Sequence, residues 1–374
     1  MSHSGEGRIG EALPAVDSDQ TLVLAFGPTS LMDSADSLAE LARAYPRSHV
    51  IGCSTSGEIF GTKVVDGSLV IAVARFQGTR LATTGAAVGR ASDSFEAGRR
   101  LATELAAPDL RGALVLSDGL LVNGTELVRG INTVLPPSVI VTGGLAGDGD
   151  RFQRTWVLSD RAARSGWVSA VAFYGDRIRI GHGSKGGWDM FGPDRVVTRS
   201  EGNVLYELDG RPALQLYKDY LGDRAAGLPA TALLFPLALR EASGADKNLV
   251  RTVLAVDEAR QSMTFAGDIP QGVRAQLMRA NFDRLIQGAS DAASLASGTR
   301  NGTDGETLAI AISCVGRRLV LGERTEEEVE ATLDVLPRGS RQIGFYSYGE
   351  ISPYATGACD LHNQTMTLTT IAEA

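Results

Sequence analysis

One short phrase occurs twice in this chain, near its two ends. Gly52-Cys53-Ser54-Thr55-Ser56-Gly57-Glu58-Ile59 returns as Gly344-Phe345-Tyr346-Ser347-Tyr348-Gly349-Glu350-Ile351. Each copy follows a short apolar run, which predicts a buried strand leaving into a glycine-bounded turn. Glycine lets backbone turn sharply or approach another group closely. The hydroxyls and the carboxylate set donors and acceptors beside that bare backbone. A chain that builds the same strand exit twice points to an internal repeat, and to two halves of one site.

Thr142-Gly143-Gly144-Leu145-Ala146-Gly147-Asp148 is a degenerate third copy, with Gly147-Asp148 standing where Gly57-Glu58 stand. The elements around the copies repeat as well. The first half reads as buried strands over 21–26, 113–116 and 139–141, with helices over 34–45, 93–106 and 124–135. The second half reads as a hairpin over 249–256 and 261–266, then a helix over 271–286, a strand over 308–312, a helix over 326–336 and a closing strand over 365–371. Between them, 203–221 reads as a helix interrupted at Gly210-Arg211-Pro212. At 374 residues the chain exceeds one ordinary core of roughly 100–200 residues. The expected fold is α/β, as two pseudo-repeated mixed-sheet α/β domains over 20–200 and 201–374, after a flexible polar leader over 1–19.

The charge balance narrows the partners. Lys and Arg number 36 against 44 Asp and Glu, a net charge of −8, and no basic run occurs. Nucleic acid and anionic membrane are therefore excluded as expected partners. No apolar stretch approaches the roughly 20 residues that span a bilayer, and the leader lacks a signal-peptide core. Cys53, Cys314 and Cys359 are odd in number and widely separated, which predicts free thiols in a reducing cytoplasm.

Several chemistries can be tested on the residues. Gly52-x-Ser54 begins like a nucleophile elbow, but Ser56 stands where that motif needs glycine. Cys53 and Cys314 are candidate nucleophiles or packed thiols. Cys359-x-x-His362 is half of a metal site without a second half. The C-x-x-C-H haem attachment motif is absent, yet a non-covalent haem needs only one axial ligand, for which His182 and His362 are open. No phosphate-loop motif is present.

Glu58, Asp148 and Glu350 each follow a glycine at a strand exit, where α/β domains bind ligands. There they can hold an ammonium group while Ser54, Ser56, Ser347 and backbone N–H groups take a carboxylate. The alternative is that each acid caps its own turn. Cys314 and Arg317 stand where a strand ends, at the mouth of such a site. Tyr346, Tyr348 and Tyr354 cluster around the second copy and fit either a pocket wall or a partner-binding patch.

Six segments together resemble the FIST sensory family, with its N- and C-terminal parts. They are Gly52 to Glu58, Gly143 to Asp148, Val204 to Leu214, Cys314-Val315-Gly316-Arg317-Arg318, Gly344 to Pro353, and His362-Asn363-Gln364-Thr365-Met366-Thr367. The resemblance runs from about Thr21 to the C-terminus. It implies a cytoplasmic, non-catalytic sensor of a small ligand, with amino acids suggested. It also implies a separate signalling protein as partner, such as a histidine kinase or a cyclic-dinucleotide enzyme. Some members of the family are haem proteins that sense nitric oxide, so haem is the one cofactor to test. The remaining alternative is a cryptic hydrolase or transferase using Cys53, Ser54 or Cys314.

Overall fold

The computed structural model describes residues 13–33, 36–240, 248–298, 306–353 and 357–374. Three parallel strand pairs organise it. Thr21–Gly27 pairs with His49–Ser54, Leu110–Ser117 with Ile140–Leu145, and Leu308–Cys314 with Arg341–Ser347. The connection within each pair contains helix, as a parallel crossover requires: Asp36–Ala44, Gly124–Asn132, and Val315–Leu321 with Thr325–Val335.

Each pair is the heart of a mixed sheet. Strands of the first pair are buried on both sides. Leu22, Leu24 and Phe26 point to a central core, while Val23 and Ala25 meet Leu38 and Leu41 of the covering helix. The alternation follows from the two-residue period of a strand with both faces covered. The second sheet is covered by helices Ser94–Leu105 and Gly124–Asn132, the third by Phe282–Gly298 and Thr325–Val335. The inner faces of all three sheets meet in one core, where Phe26 of the first sheet lies 4.7 Å from Phe345 of the third.

The sheets also exchange strands. After the first exit, Glu58–Phe60 crosses to the third sheet and pairs with Arg341–Ser347. After the third exit, Gly349–Pro353 crosses to the second sheet and pairs with Ile140–Leu145. After the second exit, Val157–Ser159 crosses to the first sheet and meets His49–Ser54. The three sheets are thus linked in a closed cycle.

A fourth sheet of eight strands stands apart, with its own core of Val197, Leu205, Phe265 and Leu277 under helix Ala213–Leu221. Here the structure corrects two expectations. The helix expected over 271–286 is a strand, Arg274–Arg279, followed by a helix that begins at Phe282. Val273 and Leu277 fit a helical spacing, but Ala275 and Leu277 are buried between exposed Arg274 and Arg279, a strand pattern sealed by pairing on both sides. The helix expected over 203–221 is likewise a strand, Val204–Leu208, then a helix from Ala213. The hairpin with Asp189–Glu201 claims its first half.

Of the leader, residues 1–12 lie outside the described residues. The stretch from 13 to 19 is packed rather than free, with Tyr45 donating to the Pro14 carbonyl at 2.9 Å and Ser48 to Asp17 at 2.7 Å. Tyr354 also lies outside the described residues.

Candidate functional site

The three exits meet. Ser56 N–H donates to the Tyr346 carbonyl at 2.8 Å, and Tyr346 N–H to the Gly57 carbonyl at 2.9 Å. Gly147 N–H reaches the Ser54 carbonyl at 2.9 Å, and Tyr348 N–H the Leu145 carbonyl at 3.1 Å. Each turn therefore bonds to both others through backbone. The second strand of each pair places a glycine at one register: Gly52 opposite Ala25, Gly143 opposite Val115, Gly344 opposite Ala311. A Cβ at any of these would overlap the facing carbonyl. The glycines of the phrase are needed for that approach.

The acids are placed differently from one another. Glu58 and Glu350 are buried, and each accepts from a hydroxyl three residues earlier. Thr55 donates to Glu58, and Ser347 donates to Glu350 at 2.7 Å. Glu58 also takes the Ser68 N–H at 3.2 Å; Glu350 takes the Thr365 N–H at 3.2 Å and its hydroxyl at 2.9 Å. Burial pushes Glu58 up to about 7 and Glu350 up to about 8. Both carboxyls close their own turns.

Asp148 is not their structural counterpart. Cys53, Gly144 and Phe345 hold equivalent places, each one residue past the register glycine, and each faces the start of a crossing strand. Five residues separate Phe345 from the strand position of Glu350, and five separate Cys53 from that of Glu58. Thirteen separate Gly144 from Val157. The second exit is an overhang. Asp148 anchors it, accepting from Thr29 at 2.8 Å, from the Arg151 guanidinium, and from the N–H groups of Gln153 and Arg154 at 3.3 and 3.1 Å. Burial works to raise its pKa, but these donors outweigh it and hold the carboxyl below its ordinary value.

The overhang and the first exit border a cleft of about 570 Å³ that includes Ser56, Asp66, Asp150, Arg151, Arg318 and Glu323. Arg318 donates to the Ser56 carbonyl at 2.5 Å and pairs with Asp66 at 2.6 Å. Arg151 lines the same cleft, about half exposed, and bonds Asp148 and Thr29 Oγ1, the latter at 3.3 Å. Ser56 Oγ accepts from Gly149 N–H at 3.0 Å. Tyr348 stacks on Phe152 with ring centroids 4.4 Å apart, and its hydroxyl donates to the Gly149 carbonyl at 3.1 Å, bracing the overhang.

Other expected residues lie elsewhere. Arg317 is fully buried and pairs with Glu328 at 2.6 Å, while Tyr346 donates to Glu328 at 3.2 Å. Ser54 is buried, its hydroxyl accepting from Trp156 N–H at 3.0 Å. Ser347 is spent on Glu350. Cys53 and Cys314 are buried, and burial pushes both thiols up, away from the reactive thiolate. His362 is buried, with Nε2 3.0 Å from the Ser352 carbonyl. His182 has an unpartnered buried Nδ1, and burial lowers its pKa. Neither histidine is among the residues that line the four cavities described for this chain. Among the described residues no group of three or more His, Cys, Asp or Glu side chains could hold a metal ion. None of the described helices is long and apolar enough to cross a membrane.

Sequence reasoning missed Arg318, Arg151 and Asp66. It also missed Asn363 and Gln364, which are fully buried and leave both side-chain amide atoms unpartnered. Gln364 sits at φ +61° with its amide against Gly316, and Asn363 lies near Gly349. The sequence signal was the family segment His362-Asn363-Gln364-Thr365-Met366-Thr367, from which no site role was assigned to either amide.

The FIST N domain model matches residues 21–211, and the FIST C domain model matches residues 213–353. No curated protein matches the chain. Among solved structures, a cyanuric acid hydrolase from A. caulinodans is similar over 79% of this chain and 99% of that one. Its identity is 14% and its TM-score 0.20, too low to bear on fold or function.

Proposed function

The chain belongs to the FIST family, and from that premise we propose that it senses a small zwitterionic metabolite, an amino acid or a close relative. FIST domains are sensory signal-transduction domains. The proposed ligand occupies the cleft between the first exit, the overhang and helix Val315–Leu321. One observation carries this reading: Arg318 joins the Ser56 carbonyl to a largely exposed Asp66, in a cleft that also holds Arg151, Asp150 and Glu323. A ligand carboxylate would replace Asp66 on the guanidinium fork. A ligand ammonium would meet Asp150 or Glu323.

The exchange would change what holds the first exit, and so offers a route from ligand to turn. The output would pass to a separate signalling protein, such as a histidine kinase or a cyclic-dinucleotide enzyme. The burial of Cys53, Cys314 and Ser54 supports a binding role over a catalytic one. The three parallel pairs support reading the chain as an internal repeat.

A thermal-shift screen of the amino acids and their decarboxylated amines tests this. The expected result is a melting point raised by an amino acid, not by its amine, through preferential binding to the folded state. Arg318→Ala should abolish the shift. No shift with any amino acid, or one that survives in both Arg318→Ala and Arg151→Ala, rules out this cleft.

A further inference from the structure

Away from the exits, the layer between the first and second sheets changes character along its length. Leu81, Val171 and Phe173 fill it at one end, as the inner face of a covered sheet should. Residues 81, 83 and 85 share one face of their strand, and Ser169 stands opposite Gly85. The inner positions thus run from leucine to threonine to glycine on one strand, and from phenylalanine and valine to serine on its neighbour. The first sheet contributes Ser159. Thr83, Gly85, Ser169, Ser159 and Trp167 line a cavity of about 330 Å³. Ser159 and Ser169 are only 6% and 3% exposed.

Gly85 is not required by its backbone, since its φ lies outside the left-handed region. What it supplies is room. A Cβ there would stand 2.6 Å from Trp167 Nε1 and 2.9 Å from Ser159 Oγ. A glycine inside a strand marks the close approach of another group. Trp167 Nε1 is buried and has no hydrogen-bond partner, and a buried donor left unmade is destabilising. The other two indoles are satisfied: Trp156 donates to the Pro28 carbonyl at 3.1 Å, and Trp188 to the Gln364 carbonyl at 2.8 Å.

The cation on this cavity's wall is already engaged, and its carboxylate, Asp160, is turned to solvent with its side chain 83% exposed. Arg161 donates to the Pro46 and Ser48 carbonyls at 2.6 and 3.2 Å. Asp160 lies 3.9 Å from Arg164. Thr83 Oγ1 is 3.2 Å from His49 Nδ1. What the cavity offers is hydroxyls and one indole N–H.

We infer that this cavity is a second binding site, for a small neutral polyhydroxylated ligand, a polyol or monosaccharide. A ligand oxygen accepts from Trp167 Nε1, and ligand hydroxyls exchange hydrogen bonds with Ser159 and Ser169. This cavity and the exit cleft share no lining residue. The site is therefore distinct from the exit cleft.

The test is titration of the whole ¹⁵N-labelled chain, read at its three indole N–H resonances. Glycerol, erythritol, ribose and glucose are the neutral probes; acetate and phosphate are the anionic ones. The Trp167 resonance is assigned by its loss in Trp167→Phe. It should move alone, saturably, with a neutral probe. The midpoint should rise about tenfold in Ser169→Ala, the loss expected for one buried hydrogen bond. Ser159→Ala serves the same purpose where the first change disturbs folding. Arg318→Ala should leave the titration unaltered. A Trp167 resonance that stays still with the neutral probes, moves only with the anions, or moves together with the other two indoles overturns the inference.

Discussion

At the first and third exits the chain turns in five residues, and the acid that ends the turn is buried and pushed toward neutrality, to about 7 at Glu58 and about 8 at Glu350. At the second exit thirteen residues separate the same register positions. There Asp148 is held as a carboxylate by Thr29, Arg151 and two N–H groups. One glycine–acid phrase thus serves two tasks. In a tight turn, a hydroxyl three residues back and a backbone N–H from another segment satisfy the carboxyl. In a long turn, the acid must gather donors from the overhang itself, and a charge gathers them more strongly. The overhang that results is what borders the cleft.

The feature common to all three exits should be the costliest to break. Gly344→Ala, Gly143→Ala or Gly52→Ala drives a Cβ into the carbonyl of the paired strand and should cost at least about 3 kcal/mol. Urea unfolding measures it; a loss confined to one of the three would show that the pairs are not held alike. Next, Asp148→Asn removes the charge that Arg151 and the overhang rely on, at about 2–4 kcal/mol. Glu350→Gln mimics a carboxyl already neutral and should cost less than about 1 kcal/mol at pH 7. Equal losses would erase the distinction between the two kinds of turn.

The pH dependence sharpens the same contrast. Glu58 and Glu350 have folded values above the ordinary 4.5, so above that pH the folded chain keeps protons that the unfolded chain has lost. Their contribution is full below about 4.5, declines as pH rises through 7 and 8, and levels off beyond. Glu350→Gln should gain on the parent above pH 8. Asp148 runs the other way. Its folded value lies below the ordinary 3.8, so its contribution is present above that pH and is lost as pH falls through the folded value. Denaturation midpoints from pH 3 to 9 for the parent, Glu350→Gln and Asp148→Asn separate the two.

The exits were legible in the sequence because a register glycine and a turn-closing acid are local requirements. The length of the second turn was not. Gly147-Asp148 mimics Gly57-Glu58 in sequence while the crossing strand begins only at Val157. Nor could sequence choose between Arg317 and Arg318. Adjacent helical residues point about 100° apart, and only packing sends one to Glu328 and the other to Ser56. The stretch around Leu277 fits both a helical and a strand spacing, and its neighbours decide.

The exchange of strands between sheets has a bearing on synthesis. Ile140–Leu145 has one neighbour as soon as it emerges, but its other edge is met by Gly349–Pro353. A ribosome must therefore deliver some two hundred further residues before that edge is covered. Through that interval the nascent chain carries an open edge on its second sheet, a template for wrong pairing, and a chain truncated between the two family segments would keep it.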